Sequence, residues 1–250
     1  MAAQLLNITS LSAVQHQKVD LVILPWGSTE PHNLHLPYGT DTILSESIAI
    51  TSAEKASRKG VESVVLPAIP LGSQNPGQTD QPFCIHTRYE TQKAILTDIV
   101  VSLRKQKFNK LVIVNGHGGN IFKNMIRDML FDEPEMTIVV VDWYAIEPQE
   151  PYFEKHDDHA GEMETSVMLH FHPEWVRPLL EAGEGKETPF NIASLNQKIG
   201  WTPRHWDKAT QDTGIGNPQH ARAEKGEKYV EAVTDKIACL LEELAFKTIY

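Results

Sequence analysis

The chain has 250 residues, with 23 Lys+Arg against 33 Asp+Glu, a formal net charge of -10, 11 His and only 2 Cys. A hydrophobic share of 41% and a charged share of 22% exclude a disordered chain, and the two Cys argue against a disulfide framework and for a reducing, cytoplasmic setting. The acid excess argues against nucleic-acid or anionic-membrane partners. No run approaches the roughly 18 apolar residues that span a bilayer, and the first twenty residues lack a signal-peptide pattern.

The elements alternate along the chain. Val19 to Trp26 (VDLVILPW) predicts a buried strand. Asp41 then precedes a helical stretch that ends at Gly60, with Asp41 as its N-cap. Val61 to Leu66 reads as a strand, and Arg88 to Lys107 as a helix with Ile95, Ile99 and Leu103 spaced by four. Leu111 to Val114 is a strand, Ile121 to Phe131 a helix and Met136 to Val141 a strand. Gly161 to Phe171 reads as a helix, and Pro218 to Lys247 as another with Pro in its first turn. The stretches 142–160 and 182–217 read as irregular loops, long enough to carry function. Strands alternating with helices predict one α/β domain over residues 1–250, with a mostly parallel central sheet covered on both faces as three α/β/α layers.

Three segments carry residues suited to chemistry. The first, GSTEPHNLHLPYGTD, follows a strand, where parallel sheets place ligand sites. Glu30 and His32 are two apart and point to one side of an extended segment. Asp41 either caps the next helix or leaves it to bind a cation. Carboxylate oxygen with imidazole nitrogen is a donor set for Zn²⁺, Mn²⁺ or Fe²⁺. The second, VNGHGGN, joins a strand to a helix. It lacks the Lys of a phosphate-binding loop and the spacing of a dinucleotide loop. His117 there either bonds the backbone or supplies another imidazole. Gly118 allows close backbone approach, as a substrate contact requires. The third, DDHAGEMETS, places His159 just before a helix, where it suits general acid–base work. Glu162 and Glu164 point about 200° apart on that helix. One is therefore expected at a site and the other in solvent near a helix N-terminus. Trp143 and Tyr144, or Trp201 and Trp206, are candidates for a lid over a planar substrate. No G-x-S-x-G elbow occurs, and Cys84 beside His86 reads as an inert thiol.

In order, GSTEPHNLHLPYGTD, VNGHGGN and HAGEMETSVML resemble the creatininase (creatinine amidohydrolase) family, with a fainter match in GIGNPQHARAEKGEKY. The resemblance spans roughly residues 20–235. It implies a compact creatininase-like α/β fold and two divalent metal ions per subunit (Zn, Mn or Fe). It also implies hydrolysis of a non-peptide C–N bond in a small cyclic amide or formamide, and a homo-oligomer such as a hexamer. Carried onto this chain, Glu30, His32, Asp41 and His117 are implied metal ligands, with Asp41 the bridge. His159 is implied in proton transfer, and Glu164 matches the glutamate of the ETS segment. Ser73 is implied as a substrate contact. The sequence departs from creatininase at Gly118 and Gly119, where that enzyme has a tyrosine and a metal-binding glutamate. Glu164, or else Glu162, is expected to replace the missing ligand. Asn33 stands where a glycine is usual. The rival expectations are a cyclase, dehydratase or peptide-maturation enzyme on the same site, and a decayed metal-binding scaffold.

Overall fold

A computed structural model describes residues 4–154 and 157–250. Five strands form one sheet: β1 (Gln4–Leu5), β2 (Leu21–Trp26), β3 (Ser63–Val65), β4 (Lys110–Asn115) and β5 (Thr137–Asp142). Their spatial order is β1-β3-β2-β4-β5, and every pairing is parallel. The helices are α1 (Leu11–Val14), α2 (Thr40–Ser57), α3 (Tyr89–Lys105), α4 (Phe122–Asp132), α5 (Glu162–Phe171), α6 (Ala193–Asn196), α7 (Trp206–Ala209) and α8 (Ala223–Phe246). Among the described residues, no helix is long and apolar enough to cross a membrane.

Side-chain alternation along each strand splits the core in two. Leu21 and Ile23 of β2 and Val112 and Val114 of β4 face α2, α5 and α8, against Ile48, Val167 and Val233. Val22, Leu24 and Trp26 with Leu111 and Ile113 face α3 and α4, against Leu96, Val100 and Met125. This is the expected three-layer arrangement. Both faces of β2 are buried, which is why its sequence is an apolar run rather than an alternation. α5 lies close against α8 because Gly226 has no side chain. A Cβ there would meet the Ser166 carbonyl oxygen at 2.0 Å.

Three expectations need correction. Asp41 is not the N-cap: the helix begins at Thr40 with Gly39 as its cap, and Asp41 sits in the first turn. Pro218 does not open the last helix. It opens a separate 3₁₀ turn, Pro218–His220, before α8 starts at Ala223. The stretch 182–217 is not wholly irregular, since it contains the one-turn helices α6 and α7.

The strand order fixes where a site can form. After β2 the chain adds β3 on one side, then crosses to place β4 on the other. The connections leaving β2 and β4 therefore diverge from neighbouring strand ends, where Trp26 pairs with Asn115. Open parallel sheets bind ligands in the crevice at that point. The first two motifs follow these two strand ends.

Candidate metal centre

The loop after β2 folds back on itself. The Glu30 N–H donates to the Tyr38 carbonyl at 3.1 Å, and the Leu36 N–H to the His32 carbonyl at 3.3 Å. Asn33 turns this hairpin with φ of 53°, in the left-handed region. Asn tolerates that region better than most residues, which accounts for Asn at a position where glycine is usual. Its side chain also grips the chain at Gly183, accepting from the Gly183 N–H at 2.8 Å.

This hairpin and the first turn of α2 bring Glu30, His32 and Asp41 together, all buried. His117 reaches them from the turn after β4. Its Nδ1 lies 2.6 Å from Glu30 Oε1 and 3.1 Å from Asp41 Oδ2. His32 Nε2 lies 2.9 Å from Asp41 Oδ1. Donor atoms gather into three overlapping groups, each within 4.8 Å: Glu30–Asp41–His117, His32–Asp41–Glu164 and Glu30–His32–His159. Asp41 belongs to the first two groups and offers one oxygen to each histidine.

The outward nitrogens of these rings are already used. His117 Nε2 donates to the Ser73 carbonyl at 2.8 Å, and His32 Nδ1 to the Glu30 carbonyl at 3.1 Å. That turns His117 Nδ1 and His32 Nε2 inward, where losing their protons would expose the lone pairs that metal-binding imidazoles use. Glu30 Oε1 and Asp41 Oδ2 are wholly buried and, apart from the close approach of His117 Nδ1, accept no hydrogen bond from the described residues. Buried carboxylate oxygens without donors are costly unless a cation satisfies them. The residues thus fit divalent ions.

The charges have shifted in step. Burial opposes a charge on His32, but Asp41, Glu164 and Glu30 overcome it and push its pKa up to about 10. His117 is likewise held well above its usual value by Glu30 and Asp41, against burial. Burial works against the Asp41 anion too, yet the two histidines hold it well below the usual carboxylate range. Burial first, then Asp157 and Asp41, push Glu164 up to about 8 against the pull of His32. The metal-free site therefore holds protons at pH 7 that a cation must displace. Metal uptake at pH 7 is expected to release at least one proton, and affinity to rise between pH 6 and 8. Calorimetry in buffers of different ionisation enthalpy reads the release. The raised values of Glu164 and His32 also set a sign for stability. Their contributions are complete below their unfolded-state values and are lost as pH rises through about 8 and about 10.

Glu162 and Glu164 part company as helix geometry requires. Glu164 joins the donor cluster, and its Oε2 accepts from the Ala160 N–H at 2.5 Å. Ala160 adopts φ of 53° to aim that N–H. Glu162 does not reach solvent as expected. It is buried, and its carboxylate pairs with Lys225 of α8 at 2.5 Å and accepts from the Glu154 N–H. Glu162→Gln is expected to leave metal binding intact and to cost about 1–3 kcal/mol of stability. Glu164→Gln is expected to weaken cation binding at the His32–Asp41–Glu164 group with little change in fold. Elemental analysis and thermal melts separate the two.

Gly119 cannot carry a ligand here. A Cβ on it would lie 2.0 Å from the Ser73 carbonyl and 2.6 Å from His117 Nε2. The oxygen that orients His117 occupies the space a side chain would need. Ser73 thus acts through its backbone, a role its side chain gave no sign of. Gly118 is exposed, and a Cβ there would lie 3.7 Å from the Tyr144 hydroxyl.

Trp143 is not a lid residue. Its indole is wholly buried in the core under α2 and α8, because it continues the inward face of β5 begun by Val139 and Val141. Trp201 is exposed. Trp206 packs edge-on against His159, with ring centroids 5.3 Å apart. His159 itself lies 4.2 Å from His32, ring to ring, and its Nε2 donates to the Pro31 carbonyl at 3.0 Å. Burial, then the charge of His32, lowers its pKa.

Several supports carry roles that the sequence motifs did not reveal. Gln78 donates to Glu30 Oε2. Asn115 holds the His117 turn by donating to the His117 carbonyl and accepting from its N–H. Asp157 caps α5, its Oδ2 accepting from the Met163 and Glu164 N–H groups at 2.7 and 3.2 Å.

Fold and site together define an α/β protein with a carboxylate–imidazole cluster at the switch point of a parallel sheet. The chain belongs to the creatininase family, whose model, described as creatinine amidohydrolase, matches residues 4–241. A crystal structure of a putative creatinine amidohydrolase from Bacteroides fragilis is 56% identical, covers 99% of this chain and 98% of its own, and has a TM-score of 0.97. The mycofactocin precursor peptide peptidase of Mycolicibacterium smegmatis is 29% identical over 88% of this chain and 83% of its own. A mutant creatininase of Zn–Zn type shares the fold at 20% identity, with a TM-score of 0.76 over 97% of this chain and 98% of its own.

Proposed function

We propose that this chain is a divalent-metal-dependent amidohydrolase acting on a non-peptide C–N bond, in a cyclic amide or formamide. One observation carries the reading. Two three-residue donor groups share Asp41 and enclose two buried carboxylate oxygens, Glu30 Oε1 and Asp41 Oδ2, that among the described residues face only His117 Nδ1 and accept no well-formed hydrogen bond. In this reading Glu30, Asp41 and His117 hold one ion, and His32, Asp41 and Glu164 the other. The ions, as Zn, Mn or Fe, would lower the pKa of water toward neutrality and polarise the substrate carbonyl. The protein does the rest. Ser73 and Pro31 carbonyls fix the histidine tautomers. With Nε2–H committed to Pro31, His159 has Nδ1 free to move a proton to the leaving nitrogen. Gly118 and the Tyr144 hydroxyl border the entrance for substrate. Glu164 supplies what residue 119 cannot, which supports an intact site rather than a decayed scaffold.

A peptide-maturation activity is the second reading. The similarity to a precursor peptide peptidase favours it, and the Gly118–Gly119 turn beside His117 is exposed. Self-association belongs to the proposal as well, since Phe83, Phe131 and Trp201 stand exposed. Light scattering reads it.

The test strips the protein with chelator, reloads it with Zn, Mn or Fe, and offers creatinine, formamides, small lactams and short peptides. Activity on a non-peptide amide that returns only with metal, with ¹⁸O from water in the product, supports the first reading. Activity confined to peptides selects the second. Equal activity before and after reloading, or no bound divalent metal, overturns both.

A further inference from the structure

The first turn of α5 is tied in four directions. Glu162 pairs with Lys225, Glu164 enters the donor cluster, and Ser166 Oγ accepts from the Arg222 N–H at 3.1 Å. The fourth tie is Thr165, whose Oγ1 lies 2.8 Å from His35 Nε2. Successive helix residues are about 100° apart, so each tie resists rotation of α5 about its axis. Two ties reach α8 or the segment leading into it. Apart from the donor contact of Glu164 itself, the Thr165 tie is the one of the four that reaches the hairpin carrying Glu30 and His32.

His35 is an odd residue for its place. It is 1% exposed, and its Nδ1 has no partner among the described residues. A buried ring with an unsatisfied nitrogen costs stability, and an apolar side chain would fill the space without that cost. What the imidazole gains is the bond to Thr165. Its backbone is held in turn, because the His35 carbonyl accepts from the Arg177 N–H at 2.9 Å.

We infer that His35 is a positioning residue: through Thr165 it locks α5 to the β2 hairpin, and so aims Glu164 at the donor group it forms with His32 and Asp41. The inference rests on the metal-centre reading above and adds a residue outside the ligand set. A glutamate on a separate helix needs such a lock, because it shares no backbone with its fellow donors. The Glu30–Asp41–His117 group, built from two paired strand ends, does not need it.

The test is metal titration of the full chain by calorimetry, with elemental analysis and no substrate. Thr165→Val keeps the side-chain shape and removes the hydroxyl. It is expected to weaken one of two Zn²⁺ binding events about 10–100-fold and leave the other unchanged. The weakened event should be the one that Glu164→Gln also weakens. Thr165→Ser should restore it, and His35→Ala should match Thr165→Val, with no further loss in the double variant. Thr165→Ala serves if the valine variant does not fold. Unchanged binding of both ions in a folded variant, or equal weakening of both, overturns the inference and leaves the metal centre standing. A parent protein that binds no Zn²⁺, Mn²⁺ or Fe²⁺ overturns both.

Discussion

Asp41→Asn is expected to empty both donor groups and to lower hydrolysis by about 10⁴-fold, the scale seen when residues acting as a unit lose a member. Asp41 offers Oδ1 toward His32 and Oδ2 toward His117, 2.9 and 3.1 Å away. An asparagine keeps the shape but turns one oxygen into an NH₂ donor. Whichever way the amide faces, one group receives N–H bonds where it needs a lone pair. Both groups also lose the shared negative charge. The pairing of the metal-free protein weakens too, since Asp41 is the leading source of the raised pKa of His32. Breaking such a buried pair costs about 3–5 kcal/mol. Elemental analysis should find almost no bound metal, while circular dichroism at low temperature reports whether the fold survives. Retention of both ions would refute the bridge.

His159→Ala is expected to lower the rate by about 10²–10⁴-fold while metal content stays the same. The reason lies in how the ring is held. Pro31 fixes Nε2, Trp206 packs on its edge, and burial with the charge of His32 keeps it neutral near pH 7. A neutral imidazole with a free Nδ1 accepts and returns a proton. The variant should also lose one limb of the pH–rate profile. The Glu30–His32–His159 cluster offers a distinct alternative, in which His159 binds metal. Loss of an ion along with activity would assign it there, and an unchanged rate would remove it from the mechanism.

The sequence was most informative where chemistry is local. The apolar run 19–26 and the Gly60 stop marked β2 and the end of α2, because burial on both faces and a positive φ leave direct traces. Glu30, His32, Asp41 and His117 were legible because they follow strand ends in a parallel sheet. Choosing Glu164 over Glu162 needed the resemblance, since helix phase says only that the two diverge. Asp41 was misread as a cap because a capping Asp and a ligand Asp look alike one residue from a helix start. The burial of Trp143 left a signal, the two-residue alternation through Val139 and Val141, that a lid reading passed over. Ser73, Gln78, His35 and Asp157 left almost none. Their roles depend on what distant segments place opposite them, such as a carbonyl that meets His117 from 44 residues away.

The strand order has a consequence for how the protein comes to be loaded during synthesis. Glu30, Asp41 and His117 all leave the ribosome in the first half of the chain, and the pairing of β2 with β4 brings them together. Glu164 follows much later, and its helix rests on α8, which emerges later still. If the centre takes two ions, its two donor groups would be complete at different times. The first would steady a half-made sheet, and the second would form only once α5 has docked on α8.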